Sequence, residues 1–483
     1  MTPHRPFPSL RISRRGITAQ GSFAEAQAAY LEPDTVSVNR LRTLAEACEA
    51  GLVAHFYMDP ELQGVLQSSG YKHVQISDSL VMADRAVDMV RAGAKRIIVM
   101  GVDFMAENVR AVLDGAGFRK IPVYRLAQGP IGCSLAEAAE TPEYFSWLTR
   151  ASQVSPSLHV VYINTSLYSK AEAQRLLPTI TCTSSNVVKT VLAAFAQIPD
   201  VSLWFGPDTY MGRNLKELFT TMAKLPEEAI ARVHPRHTAK SLNELLQRFY
   251  FFERGNCIVH HLFGDEIASR VSTEYKECFL TAHLEVPGAL FRLALEAQRE
   301  GRGVVGSTSD ILGFVGRTVD AAVEKGAPSL LRFVLGTETG MVTSLVRRIE
   351  QALRPETADP IEVEIVFPVS ESAVTATDQP NLPIVPGPAS GEGCSLEGGC
   401  ATCPYMKMNH LDALLSLLEA LGRNASGLDG FAPKMRSEIL AGRPLIDWAV
   451  EPINHMRAFS RDGRLPEALL MDVNQRGAAR VKS

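Results

Sequence analysis

No apolar run in this 483-residue chain approaches the roughly 18 residues that a membrane-crossing helix requires, so no such helix and no membrane partner are expected. An excess of charge of one sign is also missing. Basic residues number 49 against 53 acidic ones, a net −4, and no basic stripe with interleaved aromatics occurs, which argues against nucleic acid as a partner. Cysteine is scarce: eight residues, mostly unclustered, are too few for a disulfide scaffold and point to a reducing compartment. The first 24 residues carry four arginines and no acidic residue but lack a long apolar core, which excludes a secretory signal. They read as a flexible extension over residues 1–34 of a cytoplasmic protein, or as an organellar transit segment. What remains is ordinary globular composition, 46% hydrophobic and 21% charged, with length for about three domains.

One stretch stands out against this background. GEGCSLEGGCATCPYMKMN, from Gly391 to Asn409, places Cys394, Cys400 and Cys403 within ten residues. Cys400 and Cys403 form a C-x-x-C, a spacing that suits zinc, an iron–sulfur centre or a redox dithiol. A local zinc site normally uses two such pairs, and no second pair or nearby histidine is present. Any metal here would need ligands from elsewhere in the chain.

From Thr35 onward, short apolar β-rich runs alternate with amphipathic stretches, the pattern of an α/β protein with parallel sheets. The runs form three sets of four: LVAHFY, HVQIS, RIIVM and IPVYRL; LHVVYI, TITCT, VSLWF and NCIVHH; CFLTAH, GVVGS, RFVLG and IEVEIVF. Their closing residues repeat as well. First runs end in His55 and Tyr57, in Tyr162 and Asn164, and in His283 and Glu285. Second runs end at Ser79, Ser184 and the pair Ser307–Thr308, and third runs at Asp103, Asp208 and Glu338. Ligands of open α/β sheets bind at the carboxyl ends of strands, beside helix N-termini. Singly, each Ser or Thr reads as a helix cap, His55 as a core histidine, and Asp103, Asp208 and Glu338 as helix-start residues. Three matching copies instead point to a shared central site.

The cysteines follow the same logic. Cys133, Cys257 and Cys403 each occur at the fourth run of one copy, whereas Cys48, Cys182 and Cys278 sit in helical or apolar strand contexts and read as core residues. Three thiolates meeting on a pseudo-threefold axis suit a [4Fe-4S] cluster with one iron lacking a protein ligand, able to act as a Lewis acid.

The motifs AHFYMDPE, SDSLVMAD, IGCSLAEA, VVYINTS, TCTSSN, CIVHHLFG, TAHLEVP, VGSTSDIL, GTETGM and CPYMKMN, in this order over roughly residues 50–410, resemble quinolinate synthase. The wording around HFYMDPELQGVL and EPINHMR is most similar to the plant-type branch, without its fused sulfur-transfer domain. The resemblance implies three similar Rossmann-like α/β domains around a [4Fe-4S] cluster held by Cys133, Cys257 and Cys403. It implies condensation of iminoaspartate with dihydroxyacetone phosphate to quinolinate in NAD biosynthesis. An aspartate-oxidising enzyme would supply iminoaspartate, and iron–sulfur assembly proteins the cluster. Tyr57, Tyr162, His283 and Glu285 would be catalytic, and His55, Ser79, Asn164, Ser184, His260, Ser307 and Thr308 would bind substrate. Ser77 stands where compact members have glycine, and Val286 ends HLEV where they read HPEC; neither change touches an expected ligand.

The expected organisation is an extension over 1–34, repeats over 35–135, 136–259 and 260–409, and a helical extension over 410–483 packed back on the third repeat. Two rival readings are an electron-transfer iron–sulfur protein, with Cys400 as fourth ligand, and a non-catalytic protein with zinc at Cys394, Cys400 and Cys403. A three-ligand cluster would leave Cys394 and Cys400 as neighbours able to form a redox disulfide.

Overall fold

The computed structural model describes residues 6–368, 403 and 405–481; Cys394 and Cys400, and with them the expected disulfide, lie outside the described residues. A hairpin, β1 (Ser9–Ser13) and β2 (Gly16–Gln20), precedes twelve strands in three sets of four. The first set is β3 (Ala50–His55), β4 (Val74–Ser77), β5 (Arg96–Met100) and β6 (Val123–Tyr124). The second is β7 (Ser157–Tyr162), β8 (Thr179–Cys182), β9 (Ser202–Gly206) and β10 (Phe249–Phe251). The third is β11 (Phe279–His283), β12 (Gly303–Gly306), β13 (Ser329–Gly336) and β14 (Ile361–Val366).

Each set pairs in parallel in one order: β4-β3-β5-β6, β8-β7-β9-β10 and β12-β11-β13-β14. The repeat of residue types is therefore a repeat of topology, and the chain is α/β with Rossmann-like sheets. The central strands β3 and β7 are buried along their whole length, as parallel strands covered on both faces must be. In each set the chain steps outward from the first strand in opposite directions, to the second and to the third. The crevice beside the first strand is thus the topological switch point, where α/β sheets receive ligands.

The described chain divides into two compact units. One contains the first and third sheets (residues 1–102, 113–131 and 258–433), the other the second sheet (103–112, 132–257 and 434–483).

Three expectations are corrected. NCIVHH is not the fourth strand of the second set: that strand is β10, and His260 lies on a single 3₁₀ turn, His260–Leu262. The apolar trio Phe249, Tyr250 and Phe251 pairs with Leu203, Trp204 and Phe205, with Tyr250 stacked on Trp204 at 4.5 Å, and so satisfies the sheet before Cys257 is reached. Residues 9–20 are not a solvated extension. Leu10 and Ile12 are fully buried, β1 pairs antiparallel with β14, and the Ser9 hydroxyl donates to Glu364 Oε1 at 2.8 Å. Finally, the main packing partners of the helices after residue 410 are not in the third sheet. Helix Leu411–Gly422 buries its leucines against helix Thr35–Ala47 and the first sheet, and helix Leu445–Asp462 packs on helix Leu167–Leu176 and β8.

Candidate active site

In the first unit the strand ends gather a buried polar cluster. β3 ends at His55, with Tyr57 two residues on, and β11 ends at His283, followed by Glu285. β13 leads into Thr337 and Glu338. Their side chains, with those of His260 and Thr308, are all at most 8% exposed. Burying this much polarity is tolerable only because the groups bond to one another. The Tyr57 hydroxyl lies 2.7 Å from Thr308 Oγ1 and 3.0 Å from Thr337 Oγ1. Thr337 Oγ1 is 3.4 Å from His260 Nε2, and His260 Nδ1 is 3.2 Å from Glu285 Oε2 and 3.9 Å from Glu338 Oε1. The rings of His260 and His283 stack at 4.9 Å.

Local backbone fixes these positions. Gln63, fully buried on helix Pro60–Ser68, donates to the carbonyls of Phe56, Met58 and Gly340, tying the Tyr57 turn to the turn after Glu338. Gly340 is required for that approach, because a Cβ there would stand 2.6 Å from the Tyr57 Cα. Ser307 caps helix Thr308–Lys325 in a reciprocal box with Asp310, so its hydroxyl is committed to the helix. Ser79 opens helix Ser79–Arg91 beside Asp78, whose Oδ2 accepts from the Ser309 hydroxyl at 3.4 Å.

Burial sets the protonation states. It pushes His55 down to about 4, against the opposing charges of Asp78 and Glu285. It pushes His283 down to about 3, opposed by Glu285 and reinforced by His260 and His55. Each of these rings accepts a backbone N–H at Nδ1, from Tyr57 at 3.2 Å and from Glu285 at 3.4 Å, so the neutral rings carry their protons on Nε2. Burial, with Glu338 and Glu285 close by, holds the Tyr57 hydroxyl well above the usual phenol range and hence protonated.

The second unit carries the other expected residues. Tyr162 ends β7 and is 4% exposed, and Asn164 occupies the turn that follows. Lys170, fully buried, donates to the carbonyls of Ile163 and Thr165 and to Thr165 Oγ1, which clamps that turn. Burial pushes its ammonium down to about 7, with Glu107, Cys133 and Cys182 opposing. Ser184 lies in the turn after β8, where Thr183 N–H donates to Asn186 Oδ1 at 2.8 Å.

The described cysteines divide by exposure. Cys133, Cys257 and Cys403 are partly exposed, whereas Cys48, Cys182 and Cys278 are buried and burial raises their thiols, Cys182 most clearly. Raised thiols are poor metal ligands. The residues flanking Cys133 and Cys257 meet in the second unit, Ser134 Oγ donating to the Asn256 carbonyl at 3.0 Å. Cys403 lies in the first unit. Its carbonyl accepts from Lys407 N–H at 3.1 Å, and fully buried Asn409 accepts from Gly101 N–H at 3.1 Å and donates to the Gly101 and Met406 carbonyls.

Sequence reasoning missed Thr337; Glu338 opens the 3₁₀ turn Thr339–Met341, the helix-start position expected of it, and also lies near His260. Asp208 caps its helix, accepting from Met211 N–H, whereas Glu338 makes no such cap bond. The signal was available in GTETGM, since residues closing a third run flank the switch point. Gln63 and Asn409 gave no signal because each reaches a carbonyl hundreds of residues away, and Lys170 gave none because nothing in its helical context marks it as fully buried.

A family model described as NadA, quinolinate synthetase A protein, matches residues 39–366. The chloroplastic quinolinate synthase of Nicotiana tabacum is 51% identical over 98% of this chain and 67% of its own length. That of Arabidopsis thaliana is 51% identical over 97% and 67%, and that of Oryza sativa subsp. japonica 49% over 97% and 69%. This chain thus spans about two thirds of each of these relatives. With the motifs in family order, the repeated strand topology and this agreement over almost its whole length, the chain belongs to the quinolinate synthase family, enzymes of NAD biosynthesis.

Proposed function

We propose that this enzyme condenses iminoaspartate with dihydroxyacetone phosphate, releasing phosphate and water and closing the pyridine ring of quinolinate. The observation that carries the reading is the connected chain Tyr57–Thr337–His260–Glu285, buried beside the neutral rings of His55 and His283. Ring closure requires enolisation, imine formation, proton transfers and dehydration. A protonated phenol at one end and a carboxylate at the other supply an acid and a base joined by a hydrogen-bonded path. His55 and His283, neutral with protons on Nε2, are suited to donate to substrate oxygens without adding charge. Helices Ser79–Arg91 and Thr308–Lys325 start beside this cluster, and helix N-termini favour the carboxylates and phosphate of such substrates. Tyr162, Asn164 and Ser184 are the substrate-facing groups we assign to the second unit.

A [4Fe-4S] cluster fits the donor set: Cys133, Cys257 and Cys403 are the partly exposed thiols among the described residues, and all three would hold it. When bound, it supplies an iron without a protein ligand, a Lewis acid for a substrate oxygen or nitrogen. The supplier of iminoaspartate is an aspartate-oxidising enzyme, and cluster delivery falls to iron–sulfur assembly proteins. The reducing compartment expected from cysteine usage is the cytoplasm or an organelle interior.

The test is anaerobic purification followed by metal analysis and product assay. About four iron and four sulfide per chain, with quinolinate formed from the two substrates, is the expected result. One zinc per chain and no product would favour the zinc reading, and a cluster that must cycle its redox state in turnover would favour electron transfer.

A further inference from the structure

Residues 434–483 belong to the second unit, and the contacts they make there converge on one strand. β8 is the outer strand of its sheet, and among the described residues no strand pairs with its other edge. Helix Leu445–Asp462 packs over it, and helix Glu467–Val481 follows. An exposed strand edge is ordinarily protected by such a cover. The polar contacts are more specific than protection requires.

At the start of β8 both backbone groups of Thr179 are held. Its N–H donates to Gln174 Oε1 at 2.8 Å, and its carbonyl accepts from His455 Nδ1 at 3.0 Å. Gln174 is 2% exposed, and its amide donates to Glu451 Oε2 at 2.9 Å and Asp472 Oδ2 at 3.0 Å, one carboxylate from each C-terminal helix. Arg476 donates to the Arg175 carbonyl at 3.1 Å, closing the end of helix Leu167–Leu176. Beyond the end of β8, Asn186 is 7% exposed. Its Oδ1 accepts from Thr183 N–H, and its Nδ2 donates to Ser460 Oγ at 3.2 Å. Ser184 stands between Thr183 and Asn186.

We propose that the C-terminal helices are a positioning element for substrate: they grip β8 at both ends and fix, through Ser460 and Asn186, the turn that presents Ser184. This rests on the reading of Ser184 as a substrate-binding residue. Ser460, His455, Glu451 and Asp472 are positioning residues that act through the strand. A neutral hydrogen bond sets the scale of the Ser460 effect at about three- to tenfold in affinity.

The experiment compares Ser460→Ala, Ser460→Thr, Gln174→Met, Ser184→Ala and the Ser184→Ala/Ser460→Ala double variant in the full, cluster-loaded chain. KM for each substrate and kcat are measured, with quinolinate binding by calorimetry and melting temperature. Ser460→Ala is expected to raise KM for one substrate and weaken quinolinate binding about three- to tenfold, with kcat within about twofold and melting little changed. Ser460→Thr should restore both, and Ser460→Ala should add nothing in the Ser184→Ala background, because one variant acts through the other. If Ser184→Ala raises KM while Ser460→Ala and Gln174→Met do not, the positioning role is overturned and the substrate reading stands. Additive effects, or lower melting temperature with unchanged KM, would overturn it too. No change in Ser184→Ala would remove the reading of Ser184 itself, and the inference with it.

Discussion

Tyr57→Phe separates chemistry from architecture at the centre of the site. The substitution keeps a ring that packs edge-on against His55 at 4.9 Å and removes only the hydroxyl between Thr308 and Thr337. Two buried hydrogen bonds are lost, each with a net value of about 0.5–1.5 kcal/mol. Thr337 retains its contact with His260 Nε2, so the stability loss should be about 1–2 kcal/mol, a shift of about one to two degrees in melting temperature for a chain of this size. The effect on turnover should be larger. A positioned proton donor contributes about 10²–10⁴ in rate, or roughly 3–5 kcal/mol of barrier at about 1.4 kcal/mol per decade. Because the phenol is held protonated well above its usual range, Tyr57 serves as donor across neutral pH and contributes no basic limb below it. The assay is anaerobic: iron and sulfide content, thermal melting, then kcat and KM for both substrates. The expected variant keeps its cluster and its fold while kcat falls at least a hundredfold. A variant that loses the predicted stability yet turns over within about threefold of its parent would refute the argument, leaving the hydroxyl a purely structural bridge.

Glu285→Gln should likewise retain iron and bind substrate while turnover falls by about two to four orders of magnitude; normal turnover would place the base elsewhere. Lys170→Met releases the Ile163 and Thr165 carbonyls, so KM should rise as the Asn164 turn relaxes, and unchanged KM and kcat would deny the clamp any functional role. Serine in place of Cys133, Cys257 or Cys403 should lower iron content sharply, whereas Cys48→Ser and Cys278→Ser should not; full loading of Cys257→Ser would sink the ligand assignment. His159, fully buried between the Tyr144 hydroxyl and the Trp204 carbonyl, is pushed down to about 4 by burial. Its unfolded-state value is higher, about 6.5, so its contribution is complete above pH 6.5 and lost as pH falls toward 4. The loss has a ceiling of roughly 3 kcal/mol at about 1.4 kcal/mol per unit. Urea melts across that range should show a flatter pH dependence in His159→Gln, and an unchanged slope would remove the assignment.

The sequence by itself determined the repeat. Strand-forming runs, and the polar residues that close them, are local features, so eleven of the twelve repeated strands and the strand-end positions of His55, Tyr57, His283 and Glu285 were legible in the sequence. The two classes of cysteine were legible for the same reason, since apolar neighbours mark a core position. Cooperation between distant segments was decided only by tertiary structure. The run NCIVHH has strand composition, yet β10 had already filled the fourth place in that sheet, and the chain turned instead. Ser307 matched the pattern of a binding hydroxyl, but Asp310 sits at the spacing of a capping box and claimed it. Thr337 became a partner of Tyr57 because β13 pairs beside β11, and Lys170 became a clamp because burial left carbonyls as its acceptors. The N-terminal hairpin and the C-terminal helices follow the same rule. Distant partners decided where their apolar faces are buried: β14 for the hairpin, helix Thr35–Ala47 for Leu411–Gly422, and β8 with helix Leu167–Leu176 for Leu445–Asp462.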